Sequence, residues 1–443
     1  MNLPQKFIER TQNLLKDDYV AFEQALNQPS PTSIRVNNKI DYKPNEDNVD
    51  WCDHGYYLKD RPLFTADPFL HAGVYYVQEA SSMFLSVAVK QYFQDAETVL
   101  DLCAAPGGKS TLLTQYLSDN SLLVSNEIIR SRAYILAENI SKWGNPNVIV
   151  SNNEPADFSK LESFFDAMVV DAPCSGEGMF RKDPDSISEW SEANVDFCAE
   201  RQRTILADVW DALKPGGILV YSTCTYNRAE NEENVKWICE DLGAEILSLD
   251  IDLNKDIIVT DAGYRFFPHR TKGEGFFLSV LRKSDDTTSF FRNTKADIKK
   301  GTKFVNQLEF PFQLKNDKKW LLVDDNNFVR AYEAEKWSKF AALNKMLRCI
   351  ESGILIAEIK GKDVIPATQL ALSKEFDSGS VNTVELDYET AISFLKKEAL
   401  VMPNEPKGYL LVKYKNVPLG WVKNIGNRCN NLYPNNWRIR MNL

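Results

Sequence analysis

A chain of 443 residues exceeds what one hydrophobic core usually supports, since cores stop growing near ~250 to 300 residues, so two or three domains are expected. With 44% hydrophobic and 26% charged residues the composition is that of a folded soluble protein, which excludes a disordered, collagen-like or coiled-coil chain. The formal charge of −10 argues at first against a nucleic-acid partner, but it is unevenly spread: residues 407–443 hold Lys407, Lys413, Lys415, Lys423, Arg428, Arg438 and Arg440 and no acid, a local +7 that leaves −17 on the remainder.

Residues 3–28 place Phe7, Ile8, Thr11, Leu14 and Leu15, then Tyr19, Phe22 and Leu26, at near-helical spacing, which predicts two short helices. PSPTSIRVNNK breaks the helix and opens a strand, so residues 1–90 read as an α+β extension. The middle alternates short β-branched runs (TVLDLC, LLVSNE, NVIVSN, AMVVDA) with helical stretches such as KSTLLTQYL and SRAYILAENISKW, the pattern of an α/β, doubly wound parallel sheet. A helical region over 184–213 follows, ended by Pro215-Gly216-Gly217 before the strand in KPGGILVYSTC. RAENEENVKWICEDLG is a helix stopped by Gly243, and GYRFFPH with GFFLSVLRK forms a closing hairpin. The core therefore spans 91–283. The polar SDDTTSFFRNTKADIKKGTK makes 284–303 a linker, and 304–443, including YLLVKY-KNVPLGWVK with a turn near Asn416, is β-rich.

No apolar run approaches the ~18 residues of a membrane span, and the N-terminus lacks the apolar stretch of a signal peptide, so a cytoplasmic protein without a membrane partner is expected, acting as a monomer. The eight cysteines stand at least 15 residues apart, which leaves no CxxC-type knuckle. No metal is expected, and the thiols should be free.

The chemistry begins at VLDLCAAPGGKST (99–111), a strand, a small-residue turn and a helix. Gly107 and Gly108 allow close approach of a ligand, and the helix start offers unpaired N–H groups and a positive dipole end. A phosphate-binding loop would need Gly-x-x-x-x-Gly-Lys-Ser/Thr. Gly108-Lys109-Ser110 fits its end, but the required first glycine is Cys103. A nucleoside cofactor needs instead an acid ~20 residues on to receive ribose hydroxyls, and Glu127 lies there at the end of LLVSNE. One acid without a basic cluster fits S-adenosylmethionine better than a dinucleotide, with Gly107, Gly108 and Glu127 as contacts and Glu154, after the next strand, reaching towards adenine.

Two further segments, DAPCSGEGMFRKDP (171–184) and YSTCTYNRAENEENV (221–235), follow the fourth and fifth strands. Ligands of open α/β sheets bind outside these carboxyl ends, so Asp171, Cys174 and Cys224 should converge beside the cofactor. Each cysteine sits in a polar Pro/Ser/Thr turn and not in an apolar run. Carbon-5 methylation of a pyrimidine needs such a set: a thiolate adding to carbon 6, an acid near N3, and a base that removes the carbon-5 proton afterwards.

CAAPGGK, DAPCSGEG and STCTYNRAENEENV, in this order, resemble the Sun-type (nucleolar Nop2-like) RNA 5-methylcytosine methyltransferases over about residues 30–283. The resemblance implies a class I methyltransferase core, S-adenosylmethionine as cofactor held by Cys103, Ala104, Ala105, Pro106, Gly107, Gly108, Lys109, Glu127 and Glu154, Cys224 as nucleophile, Cys174 in product release, and Asp171 at both the cytosine and the cofactor. SIRVN (33–37) and HAGVYYVQEASSM (71–83) resemble the family's N-terminal RNA-contacting segment, with Arg35 on phosphate and Gln78 near the site. Length and the basic tail resemble the bacterial RsmF type, which implies small-subunit ribosomal RNA as substrate and a C-terminal PUA-like RNA-binding module, with Lys413, Lys423, Arg438 and Arg440 on the RNA. A transfer-RNA methyltransferase, a phosphate-loop NTPase gripping phosphate through Lys109, and a non-catalytic RNA-binding protein are the alternatives. ENEENV, on the helix after Cys224, reads as a solvated acidic face, and His54, His71 and His269 are too scattered for a triad.

Overall fold

The computed structural model describes residues 1–183, 185–251, 256–285, 302–306, 310–315 and 317–441; most of the expected linker, 286–301, lies outside the described residues. Helices α1 (Gln5–Leu15) and α2 (Tyr19–Leu26) form as their spacing predicts. Their apolar faces pack on the rest of the protein: Phe7, Tyr19, Phe22 and Leu26 share a core with Phe180, Trp190, Tyr226 and Phe267. Strands β1 (Thr32–Val36), β2 (Asn48–Val49), β3 (Cys52–Leu58) and, after the single turn α3 (Pro68–His71), β4 (Tyr75–Val77) make a four-stranded sheet ordered β2-β3-β1-β4. Helix α4 (Leu85–Tyr92) leads into the core.

The central sheet is built from β5 (Thr98–Asp101), α5 (Gly108–Tyr116), β6 (Leu122–Asn126), α6 (Arg130–Trp143), β7 (Val148–Ser151) and β8 (Phe165–Asp171), then α7 (Asp185–Glu189), α8 (Glu192–Val209), β9 (Leu213–Thr223), α9 (Glu232–Asp241), β10 (Ala244–Leu247), β11 (Ile258–Val259), β12 (Tyr264–Phe266) and β13 (Phe276–Lys283). The strand order is β11-β12-β13-β9-β8-β5-β6-β7, with β5 to β9 parallel and β13 antiparallel to β9. Helices cover both faces, which is why these strands are continuous apolar runs and not alternating ones. β5 has β6 on one side and β8 on the other, so the chain reverses direction across the sheet there, and ligands bind at the carboxyl ends of such a switch point. The helical region expected over 184–213 ends at Val209 and a single turn to Ala212: Leu213 already pairs with Phe165, and the Pro-Gly-Gly turn belongs to the start of β9.

Beyond the core, β14 (Lys303–Val305), β15 (Trp320–Asp325), β16 (Phe328–Glu333), α10 (Trp337–Met346), β17 (Cys349–Ser352), β18 (Ile354–Lys360) and β19 (Asp363–Pro366) follow. Five of these strands form a sheet ordered β14-β15-β16-β18-β19, while β17 leaves it to pair antiparallel with β7 as an edge of the central sheet. The last part, α11 (Thr368–Leu372), β20 (Thr383–Glu385), α12 (Tyr388–Leu395), β21 (Gly408–Tyr414), β22 (Val417–Asn424) and β23 (Cys429–Asn431), has a sheet ordered β20-β21-β22-β23. The β21–β22 turn holds Lys415 and Asn416 at φ 47° and 66°, a left-handed pair that matches the twist of a two-residue hairpin and that Asn tolerates. This module packs on the N-terminal sheet, where Ile34, Val36 and Val74 meet Leu386, Phe394, Leu410 and Tyr433. Among the described residues no helix is long and apolar enough to cross a membrane.

Candidate active site

Residues 102–107 connect β5 to α5 at the switch point. Gly107 takes φ +119°, a backbone that side chains avoid, and α5 begins at Gly108, so its first N–H groups lack intrahelical acceptors and face the strand ends. The turn is held from α6: Asn139 Nδ2 donates to the Pro106 carbonyl at 2.7 Å and Arg132 to the Ala105 carbonyl at 2.9 Å. Beneath it, Ser110 Oγ donates to Asp101 Oδ2 at 2.6 Å, while Asp101 Oδ1 is buried with no partner. Burial pushes the Asp101 carboxyl up to about 7, with Asp171 and Glu127 adding to the rise. Burial likewise pushes the Cys103 thiol up, so Cys103 is a wall of the turn and not a reactive group.

Glu127 follows β6. It is 3% exposed, accepts from the Ile129 N–H and pairs with Arg132 at 3.4 Å. A glycine turn, a helix start and a buried acid one strand over fit a nucleoside cofactor carrying positive charge, and the clustered carboxylates Asp101, Glu127 and Asp171 suit a sulfonium better than a chain of phosphates. Glu154 is exposed and caps the turn at 155–161, its carboxylate accepting from the Asp157 N–H.

At the ends of β8 and β9 the expected convergence occurs. Cys174 Sγ and Cys224 Sγ lie 3.1 Å apart. Asp171 accepts from Lys109 Nζ and from Ser222 Oγ, each at 2.8 Å, which ties the glycine turn to the cysteine loops. Burial alone would lower the Lys109 ammonium, but Asp171, Asp101 and Cys224 hold it above its ordinary range, so it stays a cation beside the thiols. The Cys174 thiol is pushed up, first by its hydrogen bond with Cys224 and then by burial. Neutral Cys174 next to Cys224 is the arrangement for one thiol to react and the other to hold a proton.

Other expectations divide. Arg35 does not face phosphate: it is 0% exposed, and its guanidinium is consumed by Gln78, Thr111, Gln115 and the Gly108 carbonyl. β1 is sandwiched between its sheet neighbours and α5, so the face that carries Arg35 is covered. Gln78 does approach the site, packing against Gly108 and holding Arg35. Lys413 and Lys423 lie on β21 and β22, with Lys423 bonded to Asp363 at 2.9 Å, and Arg438 and Arg440 are exposed on either side of buried Ile439. The acidic string after Cys224 is only partly solvated. Glu233 is exposed as expected, but Glu230 and Glu232 are buried, Glu230 in a hydrogen-bond network and Glu232 paired with Arg265. Glu177, Ser175 and Asn227, which join that network, were not singled out from the sequence; the acid three residues after Cys174 was the available signal.

Comparison with known proteins agrees along most of the chain. Family profiles described as N-terminal domain of 16S rRNA methyltransferase RsmF, 16S rRNA methyltransferase RsmB/F and Methyltransferase RsmF PUA domain match residues 3–80, 89–282 and 381–439. The ribosomal RNA small subunit methyltransferase F of Vibrio campbellii is 31% identical over 478 residues, covering 98% of this chain and 97% of the relative. That of Shewanella piezotolerans is 30% identical, covering 95% and 93%. Among solved structures, a methyltransferase homolog protein from Pyrococcus horikoshii has 28% identity and a TM-score of 0.55 over 63% of this chain and 95% of its own. NSun6 from Pyrococcus horikoshii with SFG, at 22% identity and a TM-score of 0.55 over 64% of this chain and 99% of its own, shares the fold. The chain belongs to the RsmF family of 16S ribosomal RNA methyltransferases.

Proposed function

We propose that this methyltransferase modifies carbon 5 of a cytosine in 16S ribosomal RNA through a covalent adduct between Cys224 and carbon 6 of the base. The observation that carries the reading is the meeting of two thiols, from two different strand ends, next to the lysine of the glycine turn. Cys224, as thiolate, bonds to carbon 6 and drives the ring electron pair onto carbon 5, which is otherwise too poor a nucleophile. Residues 103–109, Glu127, Glu154 and Asp171 would hold S-adenosylmethionine, which when bound would supply the sulfonium methyl to carbon 5 and leave as S-adenosylhomocysteine. Asp171, oriented by Ser222 and Lys109, faces the N3 edge and supports protonation as the adduct forms. A general base then takes the carbon-5 proton, the C–H electron pair restores the carbon 5–carbon 6 double bond, and the carbon 6–sulfur bond breaks to release Cys224 as thiolate, with Cys174, within hydrogen-bond reach of that sulfur, assisting the release.

The core performs the chemistry, while the extension over 1–90 and the region 304–443 carry the RNA, the latter through Lys413, Lys423, Arg438 and Arg440. The target base must leave its stack to be attacked, so a flexible or single-stranded site on the RNA is the physically easier one. The protein works as a monomer in the cytoplasm, where its substrate is made. In the test, Cys224→Ala loses both methylation and the covalent RNA adduct, while Cys174→Ala keeps the adduct and accumulates it. Methylation by Cys224→Ala overturns the assignment, and mapping of 5-methylcytosine in ribosomal RNA with and without the protein locates the base.

A further inference from the structure

The two cysteine loops are crossed by a pair of buried glutamates. Glu177 stands three residues after Cys174, yet its carboxylate accepts from Thr225 Oγ1 at 2.7 Å and the Tyr226 N–H at 2.9 Å, the two residues that follow Cys224. Trp190 Nε1 adds a third bond at 3.0 Å. Glu230 stands six residues after Cys224, yet it accepts from the Ser175 N–H at 2.9 Å and from Ser175 Oγ, the residue that follows Cys174. Asn227 Nδ2 at 2.6 Å and Gln202 Nε2 at 2.8 Å complete its shell. Each loop thus lends an acid to the other, and the Gly178 N–H closes the gap by donating to the Cys224 carbonyl at 2.7 Å.

We propose that Glu177 and Glu230 are positioning residues, a reciprocal clasp that sets the separation of the Cys174 and Cys224 sulfurs. Seven donors converge on two carboxylates that are 2% and 0% exposed, and two of them are backbone amides that cannot turn away. A carboxylate is acceptor-only, whereas a glutamine has one oxygen and an NH2 that would meet a donor at either position. Replacing either acid therefore forces the loops apart where the sulfurs meet, without removing a group that touches cofactor or base. The role in catalysis rests on the function proposed above; the distance between the sulfurs does not.

The test uses the full chain and the azo oxidant diamide as a ruler. Diamide takes two electrons and two protons from the thiol pair, becoming a hydrazine as the Cys174–Cys224 bond forms, and peptide mapping reads that link without RNA. The native pair cross-links quickly, and Glu230→Gln and Glu177→Gln slow it about tenfold or more. In turnover with ribosomal RNA the same variants lower kcat and accumulate adduct, with KM for RNA and affinity for S-adenosylmethionine little changed. Where one glutamine variant does not fold, Ser175→Ala, which removes one donor only, gives a smaller slowing in the same direction. Cross-linking at the native rate in folded variants overturns the clasp and leaves the proposed function standing. Failure of the native protein to methylate cytosine overturns that function and leaves the cross-linking result valid.

Discussion

Arg35→Ala separates two incompatible roles for one arginine. On an RNA-facing strand it would cost affinity and nothing else. In the structure it is a buried connector: Nε donates to Gln78 at 2.8 Å, Nη2 to Thr111 Oγ1 at 2.5 Å and to the Gly108 carbonyl at 3.2 Å, Nη1 to Gln115, and the guanidinium lies 4.5 Å from the Trp143 ring centroid. Burial lowers its pKa to about 10, still charged at neutral pH, and among the described residues its bonds go to amide, hydroxyl and carbonyl oxygens and not to a carboxylate. Each bond from a charged donor contributes about 1.5–3 kcal/mol, but the uncompensated burial subtracts from the total, so truncation, with its cavity and orphaned acceptors, should cost about 3–5 kcal/mol. Thermal unfolding should fall by on the order of 10 °C. Affinity for S-adenosylmethionine should fall too, because the Gly108 carbonyl opens the helix that receives the cofactor, while the salt dependence of RNA binding stays unchanged. Normal stability together with a slope of log affinity against log salt reduced by about 0.7–0.9, the loss of one phosphate contact, would refute the buried role.

Three further outcomes test other contacts. In Gly178→Ala the new Cβ would fall 2.4 Å from the Cys224 carbonyl oxygen and 2.9 Å from that of Gly275, both backbone, so the Cys224 loop must move; kcat should drop at least about tenfold with cofactor binding intact, and native turnover would show that the loop is not held there. His71, buried and bonded to Thr65 and Tyr433, is pushed by burial down from 6.5 to about 4, so below pH 6.5 the unfolded chain binds a proton that the folded one refuses. Stability should therefore fall as pH drops from 6.5 to 4, by up to about 3 kcal/mol, and urea midpoints of His71→Gln should depend less on pH in that window; equal slopes would be the contrary result. Arg265→Met leaves buried Glu232 without its cation and should cost about 3–5 kcal/mol, whereas Arg265→Met with Glu232→Leu should recover much of it; a double variant no better than the single argues against the ion pair as the cause.

What was legible in the sequence follows the range of the interactions involved. The central strands, the glycine turn and the order of the two cysteine motifs were readable because each is a local pattern, and because parallel α/β topology sends every strand end to one rim. The β21–β22 turn was readable at Asn416 for the same reason. Arg35 was misplaced because an arginine in a short strand gives no sign of whether its face is open, and the cover is α5, more than 70 residues on. Glu230 and Glu232 were taken for a wet face because acids crowd there, yet their partners, Ser175 and Arg265, lie 55 and 33 residues away. β17 joins β7 across some 200 residues, and nothing in CIES announces it.

These misreadings share a cause that bears on how the site is held. Residues 1–90 look like an appendage in sequence, but α1 and α2 put Phe7 against Phe180 at 5.0 Å and Phe22 against Tyr226 at 5.1 Å, and those two aromatics belong to the two cysteine loops. The same extension reaches the glycine turn through Arg35 and Gln78, and the C-terminal module braces the far end of α6, the helix that holds that turn, through the Lys374 N–H bond to the Gly144 carbonyl. Loops at the rim of a parallel sheet are otherwise the least constrained part of such a fold. Here they are braced from outside by apolar and buried polar contacts and from within by paired carboxylates, which is what two sulfurs require if they are to stay in register while a base enters and leaves between turnovers.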